Sequence, residues 1–462
     1  MTTETGEVRT PEPDAPGIMS GMYLWVTIGA CALVFLGAFE SLAVTTVMPV
    51  VSADLGGQRL YALAFAGPLA TGVIGMVAAG NWADRRGPTA PLHTAVAAFV
   101  AGLLIAGLAP SMEAFVAGRF VQGLGSGGMI VALYVVVARV YPQKRHPAIF
   151  AGFAAAWVVP SLIGPTVAAV VTDVWSWHWV FLGVVVLSLA ALLMVVPALR
   201  GLSGGDVSAP WAFGRLGWAV LAALAVLALN LVGDVPGTGP VLAVAAVVVA
   251  LIAVRPLAPR GVLRARRGLP TVILVRGLAA GAFIGTQVYL PYLLTDRYAL
   301  TPTVAGLALT GGALAWSIAS TVQGWLGARL PNMTALRIGT AFVLVGIAAV
   351  LATTVLQSGA LVIAVTWIIA GAGMGLMIPR ISALTLALST PEEHGFNSSA
   401  LTVADSFGSA MVLAVAGTLF AALATTTDPF TAVFSLSAVI AVAAVILVPR
   451  VSHPSARAEV AA

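Results

Sequence analysis

Long apolar runs, separated by short polar segments, follow one another along most of the chain. About 20 consecutive apolar residues are needed for a helix to cross the hydrocarbon core of a bilayer. The pattern therefore predicts an all-α polytopic membrane protein with 14 transmembrane helices, one for each run. The runs cover residues 22–50, 60–79, 92–109, 112–138, 148–172, 178–198, 214–233, 239–254, 270–295, 302–327, 335–356, 359–384, 397–425 and 429–449.

The runs fall into groups of six, two and six, and these groups define the predicted domains. Six helices form an N-terminal bundle, six form a C-terminal bundle, and two extra helices lie in the linker between them. The polar, proline-containing N-terminal segment predicts a disordered tail. The predicted boundaries are 1–21 for this cytoplasmic tail, 22–200 for the first bundle, 201–268 for the linker, 269–450 for the second bundle and 451–462 for a cytoplasmic C-terminal tail.

Composition and charge support a membrane protein and fix its predicted orientation. Of the 462 residues, 60% are hydrophobic and 8% are charged, whereas soluble proteins carry about 25% charged residues. With the N-terminus inside the cell, all but four of the 22 Lys and Arg residues fall in or beside cytoplasmic segments, as the positive-inside rule requires. We therefore expect a multi-pass protein of the inner (plasma) membrane with both termini cytoplasmic. The net charge of +5 comes from these loops and predicts no nucleic-acid partner.

The charged segment from Gly80 to Pro88 stands between the second and third apolar runs, and we predict a cytoplasmic loop there. A weaker echo of this segment begins at Gly324, after the second run of the last six, and places Arg329 opposite Arg85. Repeated halves around a site at the middle of the membrane are typical of transporters. The extra helix pair then appears as an insertion between two related bundles.

Four charges lie in the interior of apolar runs, away from the ends, where each costs about 2.5–3.5 kcal/mol on insertion scales. They are Glu40, Arg119, Arg276 and Asp405. Glu40 must face a central cavity or a charged partner, and it is the first candidate to carry a proton. The alternative is a static partner of Arg119. Asp405 is the second candidate, and Arg276 is interpreted as a side chain that extends to the inner interface.

Four motifs make the chain resemble the major facilitator superfamily, in particular its 14-helix drug:proton antiporter branch. The segment 40–49 is similar to the helix 1 motif of this branch, with Glu40 where Asp is usual. Trp82 and Pro88 depart from the helix 2–3 motif, and Pro160 replaces the first glycine of the helix 5 antiporter motif. The matching positions are Gly80, Asp84, Arg85 and Gly87 in the helix 2–3 motif, Arg119, Gln122 and Gly123 in the helix 4 motif, and Pro160, Gly164 and Pro165 in the helix 5 motif.

The resemblance gives these residues expected roles. Asp84 is interpreted as a latch that holds the cytoplasmic side closed through a hydrogen bond or an ion pair. Pro160 and Pro165 each remove a backbone hydrogen bond, which predicts a bend in helix 5, while Gly164 would permit close helix approach. Gly123 and its neighbouring glycines indicate tight packing of helix 4.

Proton coupling is the expected role of the remaining site residues, Glu40, Arg119 and Asp405. In the family's fold the first helix of each half lines the cavity. The resemblance therefore implies that Glu40 exchanges protons there and competes with a cationic substrate.

The resemblance implies proton-coupled efflux of lipophilic or cationic small molecules by alternating access. The alternatives are an exporter of lipid or of a specific metabolite and, less favoured, a proton-coupled nutrient symporter. A membrane enzyme is disfavoured, because no run carries two ionisable residues at helical spacing or a histidine near its middle. We expect no catalytic residues, metal or cofactor; the expected partners of the monomer are a small lipophilic substrate, protons and the lipid bilayer.

Overall fold

A computed structural model describes residues 18–142, 145–200, 212–232, 238–326, 329–390, 393–423 and 428–452. Most of the predicted N-terminal tail, the C-terminal tail from residue 453 and the centre of the Gly324 echo lie outside the described residues. Every regular element that the described residues form is helical. In chain order the α-helices are α1 Gly21–Asp54, α2 Tyr61–Arg86, α3 Thr89–Gly107, α4 Met112–Val140, α5 His146–Val174, α6 His178–Leu199, α7 Phe213–Val232, α8 Gly239–Val254, α9 Leu269–Asp296, α10 Pro302–Leu326, α11 Asn332–Val355, α12 Ala360–Ala387, α13 His394–Leu423 and α14 Pro429–Leu447.

Each apolar run is a helix, and most of these helices are long enough to cross a membrane. Among the described residues, eleven helices meet the length and apolarity needed for a span, and α5 makes twelve if its two bent parts are one span. Two apolar helices are shorter, namely Phe213–Leu229 within α7 and Val241–Leu257, which joins most of α8 to the turn after it. The chain is therefore an all-helical, multi-pass membrane protein.

The second helix is longer than its apolar run, and this corrects the loop predicted between Gly80 and Pro88. α2 continues through these charges to Arg86. Arg85 and Arg86 lie in its last turn, where positive side chains interact favourably with the negative end of the helix dipole. The helix ends at Gly87, whose φ of 80° is accessible to glycine without steric strain.

The two bundles repeat the same packing scheme. In the first, α4 packs on α2 and α3, and α1 packs on α5 and α6. In the second, α12 packs on α10 and α11, and α9 packs on α13 and α14. The close helix contacts also correspond. A Cβ on Gly127 of α4 would lie 2.1 Å from a carbonyl oxygen of α2, and a Cβ on Gly371 of α12 would lie 2.1 Å from a carbonyl oxygen of α10.

The extra helices α7 and α8 pack against each other, and α7 lies against both α2 and α13. At one end of α7, the Arg215 guanidinium stacks over the Phe396 ring at 5.0 Å. Near the other end, Thr418 Oγ1 donates to the Leu229 carbonyl oxygen at 3.1 Å. The helix pair therefore covers a seam where a helix of the first bundle meets a helix of the second.

The predicted bend in α5 is present, with an angle of 44° between the parts Ala148–Ser161 and Ile163–Val174. Pro165 has no N–H to donate to the Ser161 carbonyl, so the helix loses a hydrogen bond at this position. The bend follows from that loss.

Candidate functional site

The first candidate site is a buried ion pair inside the N-terminal bundle. Glu40 of α1 and Arg119 of α4 are 5% and 4% exposed, and an Nη1 hydrogen bond of Arg119 goes to Glu40 Oε1. Both residues lie on helices that carry no other charge in this region, so each charge neutralises the other away from water. The partner that the alternative interpretation gave to Glu40 is therefore the one it contacts.

Two further groups hold the Arg119 guanidinium. Its Nε donates to the Ala64 carbonyl oxygen of α2 at 3.1 Å, and its Nη1 donates to Gln122 Oε1 at 2.5 Å. Gln122 is 1% exposed, and its amide nitrogen has no hydrogen-bond partner among the described residues. Three helices thus converge on one guanidinium, and the helix 4 motif supplies both the cation and an amide that orients it.

Gly123, the third residue of the helix 4 motif, serves the packing of this site. A Cβ at this position would lie 2.3 Å from Thr71 Oγ1 and 2.4 Å from the Pro68 carbonyl oxygen. Only glycine fits this approach, since real Cβ contacts are not so short. The close contact between α2 and α4 brings Arg119 within reach of its α2 carbonyl partner.

A second intramembrane pair lies in the C-terminal bundle. Arg276 Nε of α9 is 2.7 Å from Asp405 Oδ1 of α13. The Nε–H bond does not point at this oxygen. Asp405 therefore balances the charge of Arg276, but Nε and Nη1 of Arg276 make no hydrogen bond within the described residues. The Asp405 side chain is 34% exposed, against 7% for that of Glu40. The sequence interpretation of Arg276, a side chain that extends to the inner interface, did not include this partner.

The helix 2–3 motif lies at the membrane face that also carries the arginine-rich segment between α8 and α9, here called the basic face. Asp84 is exposed there and makes no hydrogen bond or ion pair within the described part of the chain. A Cβ on Gly80 would meet Val131 at an ordinary 3.6 Å, so packing does not require that glycine.

The bundles meet at the other membrane face, here called the opposite face. The Tyr61 hydroxyl of α2 donates to the Val288 carbonyl oxygen of α9 at 3.0 Å. Thr303 Oγ1 of α10 donates to Asp173 Oδ2 of α5 at 2.6 Å. The Tyr61 ring also packs on Tyr292, with 4.9 Å between ring centroids. Sequence reasoning missed these contacts, and aromatic residues at the end of an apolar run are the signal that could have found them.

An ion pair fixes the second bundle at the opposite face. Arg297 Nη2 donates to Asp428 Oδ1 at 2.6 Å, and Thr431 Oγ1 donates to Asp428 Oδ2 at the same distance. Partial burial acts to raise the pKa of the Asp428 carboxyl, but these hydrogen bonds and the Arg297 charge outweigh it and hold the pKa below its usual value. Asp428 also caps α14 through the Phe430 amide.

The antiporter-type motif of α5 lies where α1, α5 and α10 meet. Pro160, Gly164 and Pro165 are buried. A Cβ on Gly306 of α10 would lie 3.4 Å from the Pro165 carbonyl oxygen and 3.0 Å from Thr46 of α1. A Cβ on Gly164 would meet Phe39 at an ordinary 3.5 Å, so the expectation that this glycine permits close helix approach is not supported.

Two related helical bundles, closed against each other at one membrane face and carrying ion pairs inside apolar helices, define a polytopic membrane transporter. Sequence comparison gives the family, since the profile described as Major Facilitator Superfamily matches residues 30–363 and 272–461. The chain belongs to the Major Facilitator Superfamily. It is a transport protein and not an enzyme.

Curated relatives are distant but cover much of the chain. Multidrug resistance protein 3 of Bacillus subtilis is 22% identical over 406 residues, which are 86% of this chain and 79% of the relative. Multidrug transporter protein MdtP of the same organism is 24% identical over 417 residues, covering 84% and 74%. A probable multidrug-efflux transporter of Mycobacterium tuberculosis, Rv1634, is 27% identical over 314 residues, covering 64% and 65%.

Solved structures of the same fold include carriers of other substrates. A peptide transporter in complex with sulfate matches with a TM-score of 0.67 at 17% identity, over 93% of this chain and 94% of that one. A D-xylose-proton symporter matches with a TM-score of 0.67 at 12% identity, over 93% and 97%. At these identities the likeness concerns the fold alone.

Proposed function

We propose that this protein exports lipophilic small molecules, including cationic ones, in exchange for protons that move inward, and that it works by alternating access. The observation that carries the proposal is the Glu40–Arg119 ion pair, buried between α1 and α4 in a Major Facilitator fold. Intramembrane ionisable groups are costly and usually functional. The names of the three distant relatives favour drug-like substrates.

Protonation of Glu40 is the proposed coupling event. A proton on the carboxylate removes the negative charge that Arg119 faces, while the guanidinium keeps its bonds to Ala64 and Gln122. The protonated and deprotonated forms therefore stabilise different arrangements of α1 against α2 and α4, and an equilibrium between two conformations responds to such a difference. Asp405 is the second proposed proton site, because its carboxyl is more exposed than that of Glu40 and faces a guanidinium with two unbonded nitrogens.

The proposed topology has 14 transmembrane helices, with α7 and α8 as an additional spanning pair. Both termini and the basic face are then cytoplasmic in the inner membrane, as the positive-inside rule favours. The opposite face, closed by Tyr61 and Thr303, is the outer side. We propose on this basis that the chain belongs to the 14-helix drug:proton antiporter branch and that the monomer is the transporting unit.

We propose that gating uses the helix 2–3 motif and the helix 5 motif, which lie near the seams between the bundles. In the present conformation the opposite face is closed, and Asp84 at the basic face is exposed and makes no hydrogen bond to a described residue. When the basic face closes, Asp84 would bond to a helix end or an arginine of the other bundle, with Arg85 and Gly87 shaping the end of α2. The bend in α5 lies beside α10. We propose that α5 and α10 move relative to each other at this point.

Reconstitution of the full chain in proteoliposomes tests this function. The experiment measures export of a fluorescent lipophilic cation, a neutral lipophilic dye, a labelled phospholipid, a dipeptide and a sugar under an imposed pH gradient. We expect uphill movement of the lipophilic cation and dye, accompanied by proton movement in the opposite direction. Glu40→Gln should abolish the uphill component.

The matched control is Glu113→Gln, the same substitution at an exposed position in the first turn of α4, which should transport at the wild-type rate. Uphill movement of the sugar or dipeptide in the same direction as protons would replace the proposal with a nutrient symporter. Movement of the phospholipid alone would replace it with a lipid exporter. Full pH-driven export by Glu40→Gln would place the coupling carboxylate elsewhere, with Asp405 next to be tested.

A further inference from the structure

A cavity of about 590 Å³ lies beside the C-terminal bundle, between α8, α9, α13, α14 and the segment 255–266 that joins α8 to α9. Its described lining residues include none from α1 to α6, so the cavity is separate from the seam between the two bundles. Its volume is within the range of about 300–1,000 Å³ that small-molecule sites occupy. The transport mechanism proposed above does not use it.

The body of this cavity is apolar. α13 contributes Val403, Phe407 and Met411, and α14 contributes Leu436 and Ile440. The floor is the crossing of α9 and α13, where glycines allow the backbones to touch. The side toward α8 is open, because Leu251 of α8 and Leu263 of the joining segment are 38% and 40% exposed. An apolar chain could therefore enter sideways from the bilayer.

The end of the cavity at the basic face is strongly positive. Four arginines of the joining segment line it, and none forms an ion pair with a described residue. From residue 239 to residue 295 the sequence contains no Asp or Glu. The negative charge that would balance these arginines must come from outside this part of the chain. The four residues are Arg255, Arg260, Arg264 and Arg266.

The joining segment is a folded structure that fixes where these arginines lie. Gly261 has a φ of 96° and packs under the Arg266 side chain, which a Cβ would approach to 2.3 Å. The Arg266 carbonyl oxygen accepts from Thr271 Oγ1 at 2.6 Å, and the Gly268 amide donates to the Arg450 carbonyl oxygen at 3.0 Å. The buried Val262 side chain packs against Ile273 in a small hydrophobic cluster. The basic rim is therefore held against α9 and the turn that follows α14.

We propose that this cavity binds an anionic phospholipid from the membrane leaflet at the basic face. An acyl chain would fill the apolar body, and the phosphate headgroup would lie among the four arginines. Charge complementarity selects this occupant, since the arginines of the rim have no counter-ion among the described residues and the body is apolar and open to the bilayer. Basic pockets between transmembrane helices have this preference for anionic headgroups. The inference does not depend on which compound the protein transports.

Binding can be measured on the full chain in detergent by native mass spectrometry, with titrations of dioleoyl phosphatidylglycerol and dioleoyl phosphatidylcholine. We expect one phosphatidylglycerol to bind at least tenfold more tightly than phosphatidylcholine. Arg260→Gln combined with Arg264→Gln should weaken that binding about thirtyfold, because each arginine near an anionic surface contributes a factor of about five. Leu251→Trp, which fills the open side, should also weaken it, without changing any charge.

Arg329→Gln combined with Arg337→Gln is the matched control, since both arginines are exposed, flank the start of α11 and lie outside the cavity lining. This control should bind phosphatidylglycerol as the wild type does. Equal loss in the control pair, equal affinity for the two lipids, or no effect of Leu251→Trp would each overturn the proposal. Competition by inorganic phosphate as strong as by phosphatidylglycerol would also overturn it, because it would show a site for a free anion. These binding measurements do not require transport, so their outcome does not depend on the proposed function.

Discussion

Replacement of Glu40 by Gln separates a structural role from a coupling role. Glutamine keeps the shape of the side chain and one oxygen that can accept from Arg119, but it removes the negative charge. Arg119 is 4% exposed, so its guanidinium is left in a buried position without a counter-ion. Its bonds to Ala64 and Gln122 persist, yet neither partner carries a charge.

The size of the effect follows from this geometry. Removing one partner of a buried ion pair costs about 3–5 kcal/mol, because the other charge is left without its counter-ion in a medium that solvates it poorly. Since glutamine and two other oxygens still accept from Arg119, we expect the lower limit, about 3 kcal/mol. This corresponds to a decrease of about 100-fold in the ratio of folded to unfolded protein. Glu40→Gln combined with Arg119→Gln removes both charges and should recover most of the loss.

The assay combines unfolding of the purified protein in mixed micelles with pH-driven export in proteoliposomes. Stability should fall in Glu40→Gln and recover in the double variant, while uphill export should be absent from both, since neither has the carboxyl group. Glu113→Gln, at an exposed position, should change the free energy of unfolding by less than about 0.5 kcal/mol. If Glu40→Gln is as stable as the wild type, the Arg119 charge does not depend on Glu40 and the reasoning fails. If the double variant regains uphill export, Glu40 is a structural partner alone.

Three further predictions follow from other parts of the molecule. Asp84→Asn should leave expression unchanged, because this side chain is exposed, and should slow transport about tenfold if the latch contributes about 1.4 kcal/mol to closure; transport at the wild-type rate contradicts the latch. Asp428→Asn should lower the free energy of unfolding by about 0.5–1 kcal/mol at pH 7. Because the pKa of Asp428 is lower in the folded protein than in the unfolded protein, the stabilisation by Arg297 is complete above the unfolded-state pKa of about 4 and disappears as the pH falls through the folded-state pKa. A stability difference between Asp428→Asn and the wild type that does not change with pH contradicts the assignment. Thr238→Cys, in a Cys31→Ser background, should react with an impermeant thiol reagent from outside the cell, and reaction from the cytoplasm alone contradicts the proposed spanning of α7 and α8.

Local sequence patterns predicted the helices well. The apolar runs coincide with α1 to α14 to within a few residues at most ends, because a membrane span must satisfy its own backbone hydrogen bonds as a helix and must be apolar along its length. The exception is instructive. α2 extends to Arg86 beyond its apolar run, since charged residues at the membrane surface are compatible with a helix and hydropathy does not report where a helix ends.

The sequence also identified the charges that matter, but not every partner of those charges. The cost of a charge in an apolar run singled out Glu40, Arg119, Arg276 and Asp405 without any structure. For Glu40, the alternative interpretation from the sequence named Arg119 as its partner. The pairing of Arg276 with Asp405 came only from the structure, because it depends on how α9 and α13 are rotated about their axes.

What the sequence alone determined is the membrane class, the helices, the two related halves and the motifs of a transporter family. Each of these depends on composition, spacing or order along the chain. The tertiary structure decided the contacts of α7 with both bundles, the closure at the opposite face through Tyr61 and Thr303, and the basic-rimmed cavity beside α8. These features bring together residues far apart in the chain, and their geometry is set by helix crossing and rotation, which the one-dimensional pattern of hydrophobic and polar positions does not encode.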